Sequence, residues 1–101
     1  MITVSYSKNN EIISLIEVTG HALFAPKGQD IVCSAVSSIM IGGLNNLKRA
    51  TEYKIVIEEG HVLLDTFKKN DEHDSIVLET MLIQLMTIED SYKNYIKIKR
   101  I

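Results

Sequence analysis

The chain has 101 residues, 46% of them hydrophobic, with 11 Lys and Arg against 13 Asp and Glu for a net charge of −2. That excludes a disordered chain, which carries more charge and less apolar side chain, and a protein that grips phosphates, which needs a basic excess. A single Cys excludes an internal disulfide framework, and a chain of this size buries roughly 60–70% of its unfolded surface, so 1–101 is expected to be a single domain.

Met1 to Ser7 has no basic segment followed by an apolar one, so no secretory signal is expected there. No apolar run approaches the ~20 residues that span a bilayer. Together with a free thiol, this points to the cytoplasm.

Ile2, Val4 and Tyr6 alternate with Thr3, Ser5 and Ser7, a strand with one wet face. Lys8 to Glu11 is turn chemistry, and the β-rich run Ile12 to Val18 completes a hairpin. Leu23 to Gln29 holds the only Pro and a Gly and reads as a loop. Asp30 is a good N-cap, and apolar positions from Val32 to Ala50 recur at three- and four-residue steps, a helix ending near Thr51. Within it Gly42-Gly43 costs about 1 kcal/mol per Gly relative to Ala, which close packing against a sheet or another chain explains. Residues 53–58 and 61–67 read as a second hairpin turning at Glu59-Gly60. Lys68 to Asp74 reads as a solvated loop. A second helix carries Leu78, Met81, Leu82, Leu85 and Ile88 on one face, with Asp71, Asp74 or Ser75 as its cap. A last strand, Asn94 to Ile101, turns Lys97 and Lys99 outward and protects a sheet edge. The expected fold is α+β, a mostly antiparallel sheet with two helices packed on it in the order ββαββαβ.

Metal chemistry finds no support, because His21, His61, His73 and Cys33 lack paired ligand spacing; no metal and no cofactor is expected. His61 reads as a surface strand residue and His73 as part of the solvated loop. Neither Gly28 nor Gly42-Gly43 has the spacing of a phosphate loop. The segment from Gly20 to Ser37 is different. It joins His21 at a strand end to Cys33 in the first turn of a helix, where unpaired N–H groups and the helix dipole favour negative charge. Such a position, with an imidazole nearby, activates a thiol, and the same N–H groups suit an oxyanion. A buried, inert Cys33 beside a polar strand terminus explains the same residues, since free Cys is among the most buried residue types.

The run Gly20, His21, Ala22, Ala25, Gly28, Asp30, Ile31, Val32, Cys33, Ala35, Val36 and Ser37, with those spacings, resembles the signature of the bacterial ribosomal-processing cysteine protease family, Prp. Ser34 departs from it, standing where the family usually has Ala. The resemblance implies a homodimeric endopeptidase that removes the N-terminal extension of large-subunit ribosomal protein L-twenty-seven. It also implies a catalytic dyad of His21 and Cys33, with Asp30 and Ser37 in support. The 22–32 loop becomes a mobile part of the substrate groove, in which Gly20, Ala22, Leu23, Phe24, Ala25 and Gly28 form the substrate-facing segment. Leu23 and Phe24 are candidate walls for an apolar substrate segment or else core residues, and Gly28 is the candidate hinge or else completes a static turn next to Pro26. Asp30 either orients His21 or caps the helix. Two other readings use the same residues: a single-cysteine redox sensor, and a non-catalytic ribosome-associated module using Lys93, Lys97, Lys99 and Arg100. No membrane and no direct nucleic-acid partner is expected.

Overall fold

The structure is a computed structural model that describes residues 1–26, 29–69 and 71–101. Its elements are β1 (Ile2–Asn9), β2 (Ile12–Thr19), α1 (Ile31–Asn45), β3 (Lys54–Glu58), β4 (His61–Asp65), α2 (Glu72–Ser91) and β5 (Ile96–Arg100). The expected order ββαββαβ holds. The five strands form one sheet ordered β3-β4-β2-β1-β5. Three pairings are antiparallel, and β5 lies parallel to β1.

Topology then dictates where the helices go. β2 and β3 both run antiparallel to β4, so α1 connects two parallel strands, and α2 does the same between β4 and β5. Parallel strands need a crossover, and crossovers are right-handed. The two crossovers run in opposite directions across oppositely directed strands, which puts both helices on one face. Cross-strand partners on that face are apolar: Val4 with Val18, Tyr6 with Ile16, Ile16 with Leu64, and Ile2 with Ile96. Val32, Val36, Met40 and Leu44 of α1 and Leu78, Met81, Leu82 and Leu85 of α2 are buried over it. Thr3, Ser5, Lys97 and Lys99 occupy the other face, as the period-two pattern requires.

The first hairpin turns through Asn10 and Glu11, both at positive φ, the geometry that matches strand twist. Gly43 answers the question raised by the glycine pair. A Cβ there would collide with the Met81 side chain, so Gly43 lets α1 approach α2; Gly42 has open space around its Cβ position.

Two helix boundaries differ from the expectation, for one reason. α1 stops at Asn45 rather than near Thr51, and α2 begins at Glu72, inside the stretch expected to be a solvated loop. Asp71 is the N-cap of α2. Asp74, expected at the surface, is fully buried. Its carboxylate accepts from the amides of Lys48 and Arg49 at 2.9 and 3.2 Å and from the Tyr53 hydroxyl at 2.6 Å. Amides bonded to a carboxylate cannot continue a helix ladder, so α1 ends before them. Burial pushes the Asp74 carboxyl up, but the bonds from Tyr53, Lys48 and Arg49 outweigh it and hold the group below its ordinary range. Burial and the same bond push the Tyr53 phenol up. His73 is likewise in α2's first turn, its Nε2 2.9 Å from the Asn46 carbonyl oxygen.

No helix among the described residues is long and apolar enough to cross a membrane.

Candidate active site

A cleft of about 500 Å³ lies at the end of the sheet where β2 and β3 finish and α1 starts. One wall is the first turns of α1, with Cys33, Ser34 and Ser37; the other is the β3–β4 turn, with Glu58, Glu59 and Gly60. His21, two residues past the end of β2, lines the cleft as well. Helical geometry explains the first wall, because residues four apart share a face, so Ser37 sits one turn beyond Cys33.

Asp30 builds the corner. Its Oδ1 accepts from the amides of Val32 and Cys33, both at 3.0 Å, and its Oδ2 accepts from the amide of Phe24, also at 3.0 Å. One carboxylate therefore caps α1 and ties the preceding loop back onto it. Burial pushes the Asp30 carboxyl up, yet the bonds from the Cys33 and Phe24 amides, the Cys33 thiol and the Val32 amide prevail and hold it low. Of the two roles open to Asp30, these bonds describe the cap. They also change the account of the first-turn N–H groups. Val32 and Cys33 donate to Oδ1 and Ser34 donates to the Asp30 carbonyl, so these amides are committed to the cap and do not form an oxyanion site in this structure.

Cys33 is half-buried, whereas His21 is exposed. The amide of Ala22 donates to the Cys33 sulfur at 3.4 Å, so the residue after His21 is fastened to the thiol. That bond, rather than proximity in sequence, brings His21 and Cys33 to one cleft. Among the described residues no hydrogen bond joins the imidazole to the thiol.

The loop residues separate. Gly20, Leu23 and Ala25 line the cleft. Leu23, at positive φ, is 79% exposed and presents its side chain freely. Phe24, expected as a second wall, packs edge-on against Tyr92 and Tyr95, with ring centroids 5.6 and 5.0 Å away; these edge contacts hold it while much of its ring stays exposed. Ala22 is buried in the core. Gly28 lies outside the described residues.

The β3–β4 turn is the part of the site that sequence reading did not place here. Glu59-Gly60 is legible as a turn, but nothing local says that it faces His21, since β3 and β4 reach that end of the sheet only through the crossover. His61 is half-exposed as expected, and its Nε2 lies 2.7 Å from Oε2 of Glu17 on β2. Among the described residues no group of three or more His, Cys, Asp or Glu could hold a metal ion.

Comparison with known proteins agrees with this architecture. The family model described as "Cysteine protease Prp" matches residues 1–97. The ribosomal processing cysteine protease Prp of Staphylococcus aureus is 31% identical over 103 residues, covering 97% of each chain. That of Mycoplasma genitalium is 34% identical over 102 residues, covering 97% of this chain and 94% of the relative. The S. aureus protease solved in complex with a covalently linked product peptide superimposes with a TM-score of 0.90 at 29% identity, covering all of both chains. A second S. aureus complex, with a substrate peptide, gives a TM-score of 0.83.

Proposed function

The chain belongs to the Prp family of cysteine proteases, and on that premise we propose that Cys33 is its nucleophile and His21 its general base and acid. The observation that carries this reading is the Ala22 amide bonded to the Cys33 sulfur beside His21 in one cleft.

Acylation begins with His21 holding the thiol proton while the Cys33 sulfur attacks the scissile carbonyl carbon. The tetrahedral intermediate collapses, the C–N bond breaks, and the imidazolium gives its proton to the leaving amine. A thioester remains. His21 then takes a proton from water, the hydroxide oxygen attacks the thioester carbonyl, and the thiolate leaves, releasing the carboxyl product. Asp30 supports both steps by fixing the start of α1 and the loop that carries Ala22. Ser37 supports them as a hydroxyl one turn beyond the sulfur on the same wall. Leu23 offers an apolar contact to the substrate segment.

The substrate in this reading is the N-terminal extension of ribosomal protein L-twenty-seven, cut in the cytoplasm by a homodimer. The names of the curated relatives support ribosomal processing, and light scattering reports the oligomer directly. The dyad is tested with Cys33→Ala, His21→Ala and the double variant on a peptide spanning that extension. Each single change is expected to abolish cleavage, and the double to be no worse, because residues acting as one unit are non-additive. Turnover by either single variant at the wild-type rate rejects the dyad.

A further inference from the structure

Gly60 faces the Nε2 edge of His21, and the structure gives it a reason to be glycine twice over. Its φ is +73°, which favours glycine in any turn. Independently, a Cβ built on Gly60 would stand 3.0 Å from Nε2 and 3.5 Å from Cε1 of the imidazole. That first distance is tighter than ordinary contact, so the ring or the turn would have to give way.

We propose that Gly60 is a positioning residue for His21: its bare backbone is the backstop that fixes the imidazole for proton transfer with Cys33. This rests on the reading of His21 as the general base. Two bonds make the turn a fixed surface. The Gly60 carbonyl accepts from the Gly20 amide at 3.0 Å, which ties the turn to the residue preceding His21. The next residue, His61, is held to Glu17 of β2 at 2.7 Å. The turn and the strand end that carries His21 therefore move together, and a ring resting on the turn keeps one orientation while its proton leaves and returns. Glycine allows the closest approach; any Cβ displaces the ring by a few tenths of an ångström or more. A misplacement of a catalytic group by about 1 Å costs on the order of 10²-fold in rate, and smaller ones cost proportionately less.

Backbone strain and ring displacement are separated by Gly60→Asn. Asn tolerates positive φ better than other side chains, so it spares the turn while still adding the Cβ. Compared with wild type, Gly60→Asn is expected to melt within a few degrees, hold KM within about twofold, and lose roughly 10- to 100-fold in kcat on a peptide spanning the L-twenty-seven extension. The pH dependence of Cys33 alkylation by iodoacetamide should move toward that of His21→Ala. A second measurement needs no variant: the wild-type chain should show a nuclear Overhauser contact between His21 Hε1 and the Gly60 α-protons, and its absence overturns the proposal. Wild-type kcat and an unmoved alkylation profile in Gly60→Asn, beside an inactive His21→Ala, overturn Gly60 as a positioning residue and leave the dyad standing. Full activity in His21→Ala overturns both.

Discussion

Asp30 and Asp74 are two aspartates with the same physics and different consequences. Each is buried near the start of a helix, each gathers at least three donors, and each is held below the ordinary carboxyl range despite its burial. Asp74 takes its donors from the α1–β3 connection and from Tyr53, far along the helix pair from the cleft. Asp30 takes its donors from the loop and helix that carry Ala22 and Cys33. The difference shows that a low carboxyl pKa does not by itself mark a catalytic group. What matters is which backbone the carboxylate organises.

The largest effect should break the two apart. Asp74→Ala leaves the Lys48 and Arg49 amides and the Tyr53 hydroxyl without their acceptor, and is expected to cost about 3–5 kcal/mol of stability. Thermal unfolding measures this. Below its melting point the variant should alkylate at Cys33 with the wild-type pH dependence. Asp30→Asn should do the opposite. Asn still caps a helix but cannot accept with both side-chain atoms, so the Phe24 tether is lost. We expect near wild-type melting and a loss of roughly 10²-fold in kcat, the scale of a misplaced catalytic group.

Acid sharpens the comparison. A carboxyl whose folded pKa is depressed adds stability above its unfolded value of 3.8, and that stability is lost as pH falls through the folded value. The wild-type chain should therefore lose stability below about pH 4, and Asp74→Ala should show a flatter acid limb in a series of melting curves. Two smaller effects test the packing that supports each aspartate. Gly43→Ala forces the Met81 side chain out of its place and should cost about 1–3 kcal/mol, with kcat unchanged. Phe24→Ala removes two edge contacts that hold the loop and should cost about 0.5–1.5 kcal/mol for each pair lost, with a rise in KM for the peptide.

Much of this was legible in the sequence where the signal is local. Period-two strands, the α1 cap and the run from Gly20 to Ser37 are read within a few residues of themselves. The misplaced end of α1 and the start of α2 share a cause that is not local, since Asp74 captures amides that lie 25 and 26 residues before it. The packing of Phe24 is not local either: Tyr92 and Tyr95 come from the far end of α2 and the turn after it. Gly60 is legible as a turn glycine from its neighbours, but its approach to His21 depends on a crossover that no spacing encodes.

The most direct test of Cys33 as the nucleophile is intact-mass analysis of L-twenty-seven, carrying its N-terminal extension, after incubation with the wild-type chain and with Cys33→Ala. The expected result is a single cut by the wild type that removes the extension, and an unchanged mass with Cys33→Ala. Equal processing by the two chains would contradict it.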